Sequence, residues 1–428
     1  MTKGNQVIET FYPLDFRKED SERLGALLSN RRSVVLVGMK RVGISNFLRF
    51  FLYHKDIPQT YLRGENHFFI PVDLNGLVER ETFPFWVLTL KRIADASEVS
   101  NLPLEIKKKI SDYFTQTIQS QDLFLTIDCV RKSLSTLTDA GFLPTVFFLR
   151  FDRMKDSIGN EFLANLEGLI DATRQKVCFV FTSNRPLYDL SPSVFNKQTV
   201  SVFADSLYIK PANPSDTKIV FETNVKNHPI RLAEKTKEDL LALVDGYIQY
   251  LQFAMISLHE AEKIPEDKDK LFEFLTRDER ISLQSEELWE SLKTDEQKVL
   301  IRALDEKLAE KDLGEAEYIR RTGFITEDHK IFSALFEEYI KTKRIEEKEK
   351  TSVDFTKKEL ALLTFLEKNK DQVCERERII EAVWPEAEEL GVTDWAIDRL
   401  VARVRVKLKN QNSEKEIVTV KTRGYKLT

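Results

Sequence analysis

Cysteine is scarce in this chain: three in 428 residues, Cys129, Cys178 and Cys374, far apart, with no CxxC pair and no histidine at ligand spacing. That excludes a disulfide framework and a cysteine-based zinc site, and it fits a reducing compartment. Glycine (14) and proline (13) are too few for a fibrous or low-complexity chain. No apolar run approaches the roughly 18 residues that a membrane-spanning helix needs, so no membrane partner is expected. The opening "MTKGNQVIETFYPLDF" has neither an apolar centre nor a small-residue cleavage site. No secretory leader is expected there, and a cytoplasmic location is. A large excess of one charge is also missing. The net charge of −5 announces no nucleic-acid partner, although an average conceals local patches.

What is present divides the chain into parts, and the length alone predicts about two to four domains. "SVVLVG" (33–38), "HFFIPVDL" (67–74), "PTVFFLRFD" (144–152) and "KVCFVFTSN" (176–184) are nearly continuous apolar runs ending in polar residues or glycine. Strands of a parallel sheet covered by helices on both faces have this pattern. "VSVFADSLYIKP" (200–211) reads as a further strand, and helical stretches such as "SNFLRFFLYH" and "NEFLANLEGLIDATR" lie between the runs. The βαβ spacing predicts a doubly wound α/β domain over 1–211. Helical periodicity without strands follows over 212–284, read as a helical lid. Over 285–340 the order helix, helix, short hairpin turning at "TEDHK", helix predicts a winged helix. "KTKRIEEKEKTS" (341–352) is mixed charge with little to bury and reads as a linker. A separate small domain occupies 353–428.

The stretch "VVLVGMKRVGISNFLRFF" (34–51) carries the first chemical motif. A P-loop reads GxxxxGK[ST]: backbone N–H groups cradle phosphates, the lysine neutralises them, and the hydroxyl meets Mg²⁺. Gly38, Gly43 and Ser45 stand at those positions, but Ile44 occupies the lysine position; Lys40 lies inside the loop instead. "VFFLRFDRM" supplies Asp152 where such proteins place a Mg²⁺-holding carboxylate, followed by Arg153 where a water-activating glutamate belongs. "CFVFTSNRP" ends its strand in Asn184, where such proteins place a polar residue that senses the γ-phosphate. Without the lysine and the glutamate, a barrier several kcal/mol higher is expected, about 1.4 kcal/mol being tenfold in rate. Three readings remain open at this point: a tight strand-to-helix turn with no nucleotide, ATP or ADP with Mg²⁺ bound without turnover, and slow hydrolysis. No residue is assigned as catalytic or as a resident metal ligand.

The order and spacing of these motifs resemble the AAA+/STAND class of P-loop ATPases. "VDGYIQYLQFA" (244–254) is similar to that class's "GGxPxxLQ" lid signature, with Gly246, Leu251 and Gln252 matching and Ile248 at the proline position. "LGEAEYIRRTGFITEDHKIFSALFEEYI" resembles the winged helix that follows such lids. The resemblance covers roughly residues 10–340 and implies an AAA+-like sheet domain with degenerate Walker motifs.

The C-terminal segment carries the sharper pattern. Residues 391–428 hold nine Lys or Arg (399, 403, 405, 407, 409, 415, 421, 423, 426) against four acids (394, 398, 414, 416), a local +5. In "TDWAIDRLVARVRVKLKN" the apolar residues Ile397, Leu400 or Val401, Val404 and Leu408 fall on one face and the cations on another. A basic helix beside a basic hairpin can place side chains in a major groove and at the neighbouring minor groove. The plain alternative is a solvated helix face.

The whole of 353–428 resembles the OmpR/PhoB-type winged-helix domain of bacterial response regulators. The matches are Phe355-Thr356, Glu359, Leu362-Leu363, Leu366, Asn369, Val373, Arg376 and Val383-Trp384. Ile397-Asp398, Val401, Arg403, Arg405 and Leu408 follow, then Ile417, Thr419-Val420, Gly424-Tyr425 and Leu427. Arg399, Leu400 and Ala402 depart from that family's helix, so its sequence preference does not carry over. The resemblance and helix geometry imply Trp395, Arg399, Ala402 and Arg403 toward base edges. They imply Trp384, Arg405, Lys407 and Lys421 near phosphates, and Arg423 at the wing tip toward the minor groove. Trp384 has an alternative as a buried core residue.

Together these patterns predict a bacterial or archaeal regulator that binds double-stranded DNA, as a dimer on paired sites, through its C-terminal domain. The degenerate α/β domain would take the place of a receiver. Two other functions fit the architecture: a DNA-dependent ATPase of the replication-initiator or loader kind, and a signalling or defence scaffold that engages a protein partner through the N-terminal domain.

Overall fold

The structure is a computed structural model of the whole chain, and it describes every residue except 1–6, 65, 266, 305–307, 309–315, 350–354, 385–392, 412, 414, 421 and 422. Two compact units emerge. One holds residues up to Pro229 together with Asp245–Ile248 and Glu317–Phe324, and the other holds Ile230–Val244, Gln249–Ala316 and Ile325–Thr428.

The first unit is built on five parallel strands: β1 (Ser33–Gly38), β2 (His67–Asp73), β3 (Leu143–Leu149), β4 (Cys178–Ser183) and β5 (Ala204–Ile209), in the spatial order β2-β3-β4-β1-β5. The parallel α/β sheet predicted from the apolar runs is therefore present. β1 and β4 are buried at every residue, as strands covered on both faces must be. β2 instead alternates, because it lies at the sheet edge. Pro71 is compatible with that place, since a strand proline cannot donate to a ladder. Phenylalanine fills the layer against β3 and β4: Phe148 packs on Phe85, Phe179 and Phe181, and Phe85 meets Phe162.

Two sequence expectations change here. The run 200–211 is a strand only from Ala204; Lys197–Phe203 is helical, and Val200 and Phe203 are buried while Val202 is 75% exposed, an i, i+3 face that the β-branched composition conceals. The run 144–152 leaves the sheet at Leu149, so Asp152 lies in a 3₁₀ turn, Phe151–Met154, and not at the strand end. Gly246 keeps the glycine of the lid signature for a steric reason. Its φ is +75°, and a Cβ there would lie 1.9 Å from the Ala212 carbonyl oxygen.

In the second unit, helices Glu234–Val244, Lys268–Thr276, Glu279–Glu290, Thr294–Leu304 and Ala334–Glu349 precede the C-terminal domain. The hairpin expected at "TEDHK" is a minimal one, a single antiparallel bridge from Ile325 to Ile331. The helix Ala334–Glu349 runs into the segment read as a linker; 350–354 lie outside the described residues. The C-terminal domain has helices Lys357–Lys368, Arg376–Val383 and Asp394–Asn410, then an antiparallel hairpin, β6 (Ile417–Val420) and β7 (Gly424–Leu427). Thr356 opens the first of these with a reciprocal capping box to Glu359. Ile397, Leu400, Val401, Val404 and Leu408 are all buried with Leu362, Leu366, Ile379 and Tyr425.

Candidate nucleotide loop and nucleic-acid interface

The loop Met39–Gly43 leaves the carboxyl end of β1, where open α/β sheets bind ligands, and enters the helix Ile44–Tyr53. Gly43 sits at φ +108°, a backbone that favours glycine. A Cβ on Gly38 would lie 2.9 Å from the Val42 Cγ1 and 3.0 Å from both the Ile44 Cδ1 and the Ile209 carbonyl oxygen, so two methyl groups and the backbone of β5 close on the glycine. Lys40 contributes its carbonyl, which accepts from the Tyr247 hydroxyl at 2.6 Å. Ile248, at the lid signature's proline position, packs beside Gly43.

The strand end that should offer a carboxylate to Mg²⁺ offers a cation. Arg150 follows β3 in a left-handed conformation, its N–H donates to Thr182 Oγ1 at 2.7 Å, and its guanidinium pairs with Asp73 at 2.5 Å. Burial pushes the Asp152 carboxyl above the usual carboxylate range, against the downward pull of its own backbone N–H and of Lys40. A cleft of about 740 Å³ opens beside the loop helix, lined by Ile44, Ser45, Asp73, Arg150 and Thr182 among others; Lys40, Gly43, Asp152 and Asn184 do not line it. The Asn184 carbonyl accepts from the Tyr318 hydroxyl at 2.8 Å, and the neighbouring Arg185 stacks 3.9 Å over that ring. The six candidate nucleotide residues thus lie at and beyond the carboxyl ends of the interior strands β1, β3 and β4, and of them only Ser45 lines the cleft. Among the described residues no group of three or more His, Cys, Asp or Glu is placed to hold a metal. Asp73 and Arg150 were not singled out in the sequence, although both stand in apolar runs that were.

In the C-terminal domain the basic helix presents its cations to three different surroundings. Arg405 donates to the Ile417 carbonyl at 2.7 Å and to Thr419 Oγ1 at 2.8 Å, which ties the helix to β6. Lys407 reaches the buried Glu359 at 2.6 Å, and Arg403 Nε lies 3.4 Å from the same carboxylate. Arg399 and Arg403, expected at base edges, pair with Glu290 (2.5 Å) and Glu286 on the helix Glu279–Glu290; Lys358 pairs with Glu279 on that helix as well. Burial pulls the Arg403 guanidinium below its ordinary value, in keeping with its enclosed position. Trp395 and Ala402 are half-buried, and Arg423 is exposed at the turn between β6 and β7. Lys421 lies outside the described residues. Trp384 is a correction: at 3% exposure it belongs to the domain core, not to a phosphate-facing surface. Glu286 and Glu290 were missed. Their signal was the i, i+4 acid spacing in "SEELWE", which matches the i, i+4 spacing of Arg399 and Arg403.

The geometry defines a class: a parallel α/β unit with a loop after β1, and a winged-helix C-terminal domain with a basic helix. Residues 349–427 match the family described as "Transcriptional regulatory protein, C terminal", and that segment is an OmpR/PhoB-type winged-helix domain. No curated protein matches the chain. Among solved structures, the chain is similar to the Walker-type ATPase Paby2304 of Pyrococcus abyssi (17% identity, TM-score 0.49, 76% of this chain and 95% of that one). It is similar to the Aeropyrum pernix ORC2 protein in ADPNP–ADP complexes (12% identity, TM-score 0.47, 80% and 99%). It is also similar to the Aeropyrum pernix ORC1 protein in complex with DNA (12% identity, TM-score 0.39, 99% and 93%). No described helix is long and apolar enough to cross a membrane.

Proposed function

We propose that this chain is a transcription regulator that holds double-stranded DNA with its C-terminal domain, and that its P-loop unit regulates without useful hydrolysis. The family match over 349–427, falling on a basic helix tied to a hairpin, carries the reading. In such a domain the helix enters a major groove, Arg423 at the hairpin turn lies toward the adjacent minor groove, and the hairpin cations meet phosphates. Two features favour a non-hydrolytic P-loop unit. Val42 and Ile44 methyls close on Gly38, and Arg150, already paired with Asp73, stands at the strand end. These residues do not fit a Mg²⁺–triphosphate, and no chemical step is assigned to them. A nucleotide bound by the loop would act as a conformational ligand, through differential affinity for two states.

The test is a duplex titration of the full chain at several salt concentrations. Four phosphate contacts would give a slope of log affinity on log salt of about −3.6. A chain that binds no duplex at low salt, with its C-terminal domain folded, contradicts the proposal.

A further inference from the structure

We propose that the basic helix is held closed by the chain itself: the acidic helix Glu279–Glu290 occupies the cations that would face DNA, so that DNA must displace it. This rests on the DNA-binding reading above. The two helices pack together within one unit, and the contact is a matched set of charges. Glu290 takes Arg399 and Glu286 takes Arg403, in antiparallel order at equal i, i+4 spacing, while Lys358 at the first turn of its own helix takes Glu279. Carboxylates spaced along a rigid rod opposite a row of arginines present the same chemistry as a phosphate backbone. The two occupants are therefore mutually exclusive.

The closed contact is also built to open. Arg403 has a second carboxylate within its own domain, Glu359 at 3.4 Å, so release from Glu286 does not leave it without an acid. Arg399 and Glu290 are each partly exposed, 33% and 23%, so water can take over both groups when they separate. Partly exposed ion pairs contribute modestly and are screened by salt. The Arg399–Glu290 half of the closure is thus weak, and Glu359 stands by to take Arg403 from the buried Glu286, so DNA, or any ligand that moves the acidic helix, can shift the population.

The test uses the full chain and a random-sequence duplex at low salt. Glu286→Gln with Glu290→Gln is expected to bind about ten-fold more tightly than the wild type. Glu262→Gln with Asp269→Asn makes the same charge change at exposed positions away from the contact and is expected to stay within about two-fold. A second pair of variants uses the contact outside the DNA-facing helix. Glu279→Lys is expected to tighten binding, and adding Lys358→Glu, which restores opposite charges in reversed positions, returns it toward the wild-type value. Equal affinity of the wild type and the Glu286/Glu290 variant overturns the closure and leaves DNA binding standing; so does a Glu279→Lys, Lys358→Glu variant as tight as Glu279→Lys alone. Absence of binding by every variant removes the DNA-binding reading, and the closure with it.

Discussion

The loop Met39–Gly43 and the helix Asp394–Asn410 each carry a motif for binding phosphate-bearing ligands, and they diverge in opposite ways. The loop keeps a left-handed Gly43 and its place after β1, but Ile44 stands at the lysine position and the end of β3 presents the cation Arg150. The helix keeps its cations, but pairs Arg399, Arg403 and Lys407 with carboxylates of its own unit. The difference teaches that backbone shape and charge are separable parts of a phosphate site. A strand-to-helix turn with a glycine at φ +108° can be required by packing alone. The cations off the apolar face of the helix are themselves engaged within their unit, so their functional weight rests on the family match over 349–427 and not on their presence alone.

That contrast can be broken at either end. The largest effect is expected where shape alone is at stake. Gly246→Val places a branched side chain at φ +75° with its Cβ against the Ala212 carbonyl, and should cost about 3 kcal/mol of stability in denaturant unfolding. Next comes the helix. Arg403→Ala should lower discrimination between a selected duplex and random DNA by about 1–3 kcal/mol, roughly five- to 150-fold. This ratio is the proper readout, because any closed-to-open equilibrium cancels from it.

Arg150→Ala removes an ion pair whose side chains are 40% and 44% exposed, so less than about 1 kcal/mol of stability should be lost. A larger loss in thermal unfolding would give that pair a structural weight the geometry does not.

The smallest effect has a definite sign. Asp152 has its pKa raised by burial, so its contribution to stability is fully present below the unfolded value of 3.8 and is lost as pH rises through the higher folded value. Asp152→Asn should therefore flatten the stability profile over that window and leave the variant slightly more stable than the wild type near neutral pH. The reverse ordering would mean that the charged carboxylate has a stabilising partner.

Much of the fold was legible because its signals are local. Continuous apolar runs marked β1, β3 and β4, and the spacing Ile397, Leu400, Val401, Val404, Leu408 marked the buried face of the basic helix. What was not legible depends on context. The helix over 197–203 has β-branched residues that read as strand, and the end of β3 at Leu149 is set by the left-handed Arg150 rather than by composition. Trp384 could be a core or a surface residue by pattern alone, and only packing with Ile379 and Val383 decides it. At the loop, the missing lysine was plain in the sequence, but the Arg150–Asp73 pair joins residues 77 positions apart. At the basic helix the cations were visible and their carboxylate partners were not, since Arg399 and Glu290 are 109 residues apart.

The most direct measurement is binding of the full chain to duplex DNA with and without ATP–Mg²⁺, with phosphate release followed in the same samples. Salt-sensitive DNA binding at low ionic strength is expected, with no phosphate release above the protein-free rate, with or without DNA. DNA-stimulated release of phosphate, or no duplex binding by a folded chain, would contradict the proposed function.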